Sequence, residues 1–218
     1  MSGVVEYFLN NRETIVTWFG WHAWLSVLPV VLGLVIALPL GWVARRYRWV
    51  YGPIVSVAGL LYTIPSLALF VIMPGILHTR ILDATNVVAA LTVYSVALLA
   101  RVVADGLAAV PDDVEMAARA MGYGSVQRLF AVELPIAVPV VVAGLRVATV
   151  SNVSLVSVAA LLGVPQLGQL FTTGFSQLIT EPIVLGIVGC LLLAVLLDVL
   201  LVAAGAFLTP WRRAVRAS

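Results

Sequence analysis

The sequence predicts an all-α integral membrane protein with five transmembrane helices, its N-terminus outside and its C-terminus inside. Three observations carry this. The 218 residues are 62% hydrophobic and 10% charged, whereas a water-facing globular chain carries about 25% charged residues. Charge-free apolar runs recur that are long enough for the roughly 20-residue helices needed to cross a bilayer. The arginines gather in alternate connections between those runs, as the positive-inside rule requires of cytoplasmic loops.

Five spans fall near residues 22–43, 54–73, 86–107, 137–162 and 183–207. Residues 1–21 form an extracellular or interfacial segment. Glu6, Arg12 and Glu13 break it up, and the apolar run that follows is too long for a cleavable signal. Trp18, Trp21 and Trp24 mark the outer edge of the first span, and Trp42, Trp49 and Trp211 mark inner edges, as interfacial anchors do. The second span carries Thr63-Ile64-Pro65-Ser66, a proline break or kink. The third ends near Arg101 and Asp105, which are four apart and share a helix face. The fifth, in the region 182–211, is interrupted only by Asp198. The membrane domain is 22–210, and 211–218 is a cytoplasmic tail.

The arginines orient the spans. Arg45, Arg46 and Arg48 follow the first, Arg119 and Arg128 lie between the third and fourth, and Arg212, Arg213 and Arg216 follow the fifth. With five spans these regions share a side, and only Arg12 and Arg80 lie opposite. The first set is therefore cytoplasmic.

All twelve basic residues are Arg, and there is no Lys. That excludes a Walker A loop, whose Lys reaches the phosphates, and Schiff-base chemistry on Lys. If ATP drives this protein, another chain binds it. The single cysteine, Cys190, excludes an intrachain disulfide and a cysteine metal site. His22 and His78 belong to no metal-ligand motif. A net charge of +2 is too small to suggest nucleic-acid binding.

Residues 111–135 are the most polar stretch. Pro111, Asp112 and Asp113 start a helix, with proline in the first turn and acids at the positive end of the dipole. Gly122-Tyr123-Gly124 stops it. Ser125 is a plausible N-cap for a second short helix that ends at Leu134-Pro135.

Here the chain resembles a known family. Ala117-Ala118, three residues, Gly122, then Val132-x-Leu134-Pro135 looks like the "EAA" loop of ATP-binding-cassette (ABC) importer permeases, with Val for Ile. More specifically it resembles the permeases of osmoprotectant importers for glycine betaine, carnitine and choline. Leu38-Pro39-Leu40-Gly41, Thr63-Ile64-Pro65-Ser66-Leu67-Ala68-Leu69, residues 116–139 and Ala143-Gly144-Leu145-Arg146-Val147-Ala148-Thr149-Val150 carry the likeness, which covers roughly residues 22–210. Arg101 also falls where such permeases often have Arg. Two features depart from the pattern. Met116 stands where Glu is usual, with the acid one step earlier at Glu115, and Gly163-Val164-Pro165-Gln166-Leu167-Gly168 replaces a more glycine-rich turn that Pro165 and Gln166 can stiffen.

The resemblance implies that Glu115, Met116, Ala117, Ala118, Arg119, Met121, Gly122 and Tyr123 form an ATPase-coupling helix seated in a groove of a separate subunit. Small Ala117, Ala118 and Gly122 permit close approach. Met116 and Met121 can fill an irregular groove, and Arg119 and Glu115 can orient its rim. The implied partners are ABC ATPase subunits, a second permease copy in a homo- or heterodimer, an extracellular or periplasmic substrate-binding protein, and membrane lipid, but no nucleic acid. The chain is expected to be no enzyme and to bind no cofactor, with ATP and Mg²⁺ used by the ATPase. Its expected place is the cell (inner) membrane, multi-pass.

Polar residues inside spans are functional candidates by default. Arg146 and Asp198 lie at similar depth and are expected to form a buried structural ion pair. Ser151, Ser154 and Ser157 recur every three residues near Asn152. Such a stripe faces other helices, as packing or as the lining of a translocation path. Pro65, Ser66, Ser151, Asn152 and Ser154 are the path candidates. No aromatic cage for a quaternary ammonium is visible, and by resemblance solute selection belongs to the binding protein. Rival readings are an ABC permease for another solute such as an amino acid, and an ion-driven secondary transporter. The latter predicts internal repeats, and none is seen. A membrane enzyme would need a His cluster, a Lys nucleophile or paired carboxylates, which the spans lack.

Overall fold

A computed structural model describes residues 2–211, without the side chains of Ser2 and Arg48. The arginines of the 212–218 tail lie outside the described residues. All elements among the described residues are helical. Four helices are long and apolar enough to cross a membrane, and a bent pair makes a fifth if it counts as one span.

Helix α1 (Ser2–Arg46) is 45 residues long, about 67 Å at 1.5 Å per residue. This is twice the roughly 30 Å hydrocarbon thickness. The helix runs unbroken through residues 21 and 22. Its first half is held by packing: Ile15 is buried with Leu167 and Leu170, and Tyr7, Trp18 and Phe19 close over them.

The expected second span is two helices, α2 (Arg48–Thr63) and α3 (Ser66–Leu77), meeting at 102°. Pro65 is the cause. It has no N–H to continue the helix, and its ring pushes the preceding residue out of the α region. Ile64 and Pro65 are both extended, with ψ of 128° and 132°. The freed carbonyl of Ile64 accepts a hydrogen bond from the Tyr94 hydroxyl, whose ring meets Tyr62 edge-on.

Helix α4 (Ala84–Ala108) is the most buried span and packs most extensively on α1. Asp83 caps it by accepting the Thr85 N–H at 2.9 Å. That bond holds the Asp83 carboxyl below its ordinary pKa. The α1–α4 approach depends on two residues without side chains. A Cβ on Gly33 would stand 2.4 Å from Ser95 Cβ, and one on Gly41 2.6 Å from a Val103 methyl. Close backbone contact at small residues is how helices associate in lipid. Gly41→Leu is therefore expected to destabilise the fold by about 1–3 kcal/mol through overpacking, read as a lower melting temperature in detergent. An unchanged melting temperature would refute this contact.

Helix α5 (Asp112–Ala120) follows with Pro111 at its N-cap. Helix α6 (Ser125–Arg128) is capped by Gly124, so Ser125 is the first helical residue and not the cap. The second short helix also does not end at Leu134-Pro135. A π turn, Leu129–Glu133, carries it directly into α7 (Leu134–Val158). The wider turn accommodates the proline ring without a break, and the Leu134 N–H reaches back to the Leu129 carbonyl. It also turns residues five apart toward each other, and Arg128 donates to Glu133 within the chain's interior. After α7 come a 3₁₀ turn (Ala159–Leu162), a short helix α8 (Gln169–Gln177) that the sequence reading did not place, and α9 (Glu181–Leu208).

Candidate functional site

The connection between α4 and α7 is a built structure. Acids Asp112, Asp113 and Glu115 occupy the first turn of α5 and Arg119 its last, the arrangement that suits the helix dipole. The helix ends in a Schellman motif. The Gly122 N–H bonds to Arg119 O at 3.0 Å and the Tyr123 N–H to Ala118 O at 3.1 Å, with Gly122 left-handed at φ +84°. Only glycine takes this conformation without penalty.

One residue, Ala118, anchors the helix inward and is buried. Met116 and Met121 point away from the chain, 63% and 68% exposed, and Ala117, Arg119 and Gly122 are exposed beside them. A Cβ on Gly122 would meet nothing within 4 Å. Of the three small residues, then, Ala117 and Gly122 face outward and Ala118 serves internal packing.

Glu115 faces the body of the protein. It accepts from Arg45 Nη2 at 3.1 Å and from Arg119 Nη2 at 3.3 Å. Arg45 also reaches the Leu107 carbonyl at the end of α4. The acid one position before Met116 is thus spent on tying α5 to the end of α1. Arg46 donates to Ser125 Oγ at 3.3 Å and lies 5.9 Å from the Trp42 ring and 5.7 Å from the Tyr47 ring. Together these residues line a cavity of about 560 Å³ between α1, α5 and α6.

Arg146 and Asp198 form a two-point ion pair joining α7 to α9, Nε to Oδ1 at 2.7 Å and Nη2 to Oδ2 at 2.8 Å. The expected burial is absent within this chain. The side chains are 44% and 29% exposed, and α9 is the least buried of the candidate spans. Val147, Val150 and Ser154 continue the exposed face of α7.

Asn152 is turned the other way. It is buried, and its amide donates to Ser26 O at 3.3 Å and Ser95 Oγ at 3.2 Å, joining α7 to α1 and α4. Ser151 is half-buried and Ser154 exposed. Pro65 is exposed at the α2–α3 break with Ser66 half-buried beside it. The five path candidates therefore do not share one surface within a single chain. Asn152→Ala is expected to lower stability by about 0.6 kcal/mol, the average for such bonds in membranes, with transport per folded molecule unchanged. Impaired transport by a fully stable variant would instead place Asn152 on the path. Arg101 pairs with Asp105 at 3.5 Å, and Asp105 accepts from the Tyr51 hydroxyl at 2.7 Å. This cluster ties α2 to α4.

A second polar network went unread in the sequence. His22 is fully buried, with Nδ1 2.9 Å from Gln166 Oε1 and Nε2 2.9 Å from Val153 O. Gln166 Oε1 also accepts the Gly168 N–H at 2.5 Å, so this side chain pins the turn after α7 to α1. The available signal was a glutamine and a histidine among apolar neighbours, each needing a partner in a membrane protein. Nothing in their spacing pairs residues 144 positions apart.

The described residues thus form a helical bundle with a broken apolar segment and an exposed short helix between two of its long apolar helices. The family model for the inner membrane component of binding-protein-dependent transport systems matches residues 30–213, and the chain belongs to that family. The osmoprotectant import permease protein OsmW of Salmonella typhimurium is 35% identical over 94% of this chain and 97% of its own length. The choline transport system permease protein OpuBB of Bacillus subtilis is 29% identical, covering 96% and 95%. Among solved structures, an inward-facing form of the MetNI methionine ABC transporter aligns with a TM-score of 0.72 and 25% identity, over 91% of this chain and 96% of that one.

Proposed function

We propose that this chain is the permease subunit of an ATP-driven importer of small osmoprotectants such as glycine betaine, choline or carnitine. In this reading α2 and α3 count as one span, giving five. The N-terminus is outside, the C-terminus inside, and α5 is the coupling helix on the cytoplasmic side of the cell membrane. The chain provides the path as one of a pair. Separate ATPase subunits bind ATP and Mg²⁺, an external binding protein delivers the solute, and this chain holds no nucleotide site.

One observation supports the coupling role above the others. α5 spends Glu115 and Ala118 on its own chain, and leaves Met116, Ala117, Met121 and Gly122 bare on the opposite side. Exposed methionines beside small residues suit a groove in another protein. A rigid hold on α1 through Arg45 and Glu115 suits the transfer of motion to the membrane. The solute class rests on OsmW and its relatives. An amino-acid-like solute is the second reading, favoured by the likeness to a methionine transporter.

The test is uptake of radiolabelled glycine betaine, choline, carnitine and methionine into proteoliposomes holding the assembled complex. ATP-dependent, vanadate-sensitive uptake of an osmoprotectant is expected, with an ATPase chain co-purifying. Uptake driven by an ion gradient without ATP would refute the reading, and uptake of methionine alone would select the second.

A further inference from the structure

We propose that the arginine-lined cavity between α1, α5 and α6 is a binding site for the phosphate of an anionic phospholipid headgroup from the cytoplasmic leaflet. The proposal rests on the topology given above, which puts this end of the bundle at the inner membrane surface.

The charge of the cavity is the first reason. Arg45, Arg46, Arg119 and Arg128 line it against only Glu115 and Glu133, which leaves two positive charges in excess. Glu115 is shared by Arg45 and Arg119, and Glu133 is taken by Arg128. Arg46 is left with a hydroxyl and two aromatic faces, and among the described residues it has no carboxylate partner. A guanidinium held in this way presents its remaining N–H groups in the fork that matches phosphate oxygens.

Position is the second reason. The cavity opens at the end of a membrane-crossing helix, next to Trp42 and Tyr47, residue types that settle at headgroup depth. Basic pockets between helices on this side of a membrane take anionic headgroups. About 560 Å³ lies within the range of small-ligand sites. A free phosphate or a nucleotide offers the same chemistry, but the aromatic rim and the adjoining bilayer favour the tethered form. A headgroup here would touch the end of α1 and both short helices at once, so its binding would set how firmly α5 is held.

The experiment is native mass spectrometry of the full chain, purified in a non-ionic detergent and mixed with phosphatidylglycerol or phosphatidylcholine. Wild-type protein is expected to retain phosphatidylglycerol preferentially. Arg46→Gln should reduce that retention roughly fivefold, the worth of one basic residue near an anionic surface, and Arg46→Lys should reduce it less. Arg12→Gln, whose position is at the far end of α1, should leave it unchanged. Equal retention of the two lipids, or full retention by Arg46→Gln at an unchanged melting temperature, overturns the site. Binding of inorganic phosphate with no retention of phosphatidylglycerol overturns the lipid as its source. If Arg46→Gln keeps the lipid but loses a co-purifying ATPase, the occupant is an acidic protein side chain and the proposal fails. The topology is checked separately with Met116→Cys in a Cys190→Ala background. Labelling by an impermeant thiol reagent from the outside would refute the topology, whereas lipid retention by Arg46→Gln refutes only the site.

Discussion

Gly122→Trp is expected to insert and assemble normally yet lose nearly all transport, at least roughly tenfold, while ATP hydrolysis by the complex continues. Two effects separate at this position. The left-handed backbone at φ +84° costs a non-glycine residue about 1 kcal/mol. Gly122→Ala and Gly122→Trp share that loss, and Gly122→Asn escapes most of it. The space around Gly122 is empty within this chain, so a large side chain harms nothing internal. Its further effect must come from a partner lying against α5. Uptake per assembled complex therefore divides the two: Asn and Ala variants retain most of it, and Trp does not. Normal uptake by Gly122→Trp at normal expression would remove α5 from the coupling role.

The Arg146–Asp198 pair carries the second large effect. A charge deep within a span is expensive unless it is partnered. Arg146→Ala leaves Asp198 alone on an exposed face, and Asp198→Ala leaves Arg146 alone. Each single variant is expected to reduce assembled transporter roughly tenfold or more. The double variant Arg146→Ala with Asp198→Ala, which leaves no charge, should recover much of that loss. Strictly additive losses would show that the two do not act as a pair. The exposure of the pair adds a further expectation. A half-exposed ion pair at this depth cannot face hydrocarbon cheaply, and in the assembly proposed above a second permease copy or a water-filled path covers it. Cysteines at Val147 or Val150, on the same face of α7, should cross-link between copies or react with aqueous thiol reagents. Inertness to both would put this face against lipid.

The spans were legible because their signal is one-dimensional. Length, apolar content and the positions of Arg along the chain need no knowledge of packing. The α4, α7 and α9 spans lie within a few residues of their predicted limits. The break at Ile64-Pro65 was legible for the same reason, since a missing N–H and a ring clash are local facts. Its size, 102°, was not, because the angle depends on how α3 lodges Leu69, Phe70 and Met73 in the core. The loop's helix–glycine–helix order was readable from capping chemistry. Its join to α7 was misjudged, because proline was read as an end and the π turn that absorbs it has no composition of its own.

What the sequence alone determined, then, is the class of protein, the order of its apolar segments, and the place of the polar helix among them. Each is a property of residues near one another in the chain. Only the tertiary structure decided what the polar side chains do. Glu115 turned out to hold Arg45, Asn152 to bridge α1 and α4, His22 to grip Gln166, and Arg146 to sit half-exposed with Asp198. A polar group in an apolar chain must find a partner, and composition alone shows that need. Which partner it finds is set by helices that bring together residues 52 to 144 positions apart, and close contacts such as Gly33 on Ser95 and Gly41 on Val103 fix that meeting.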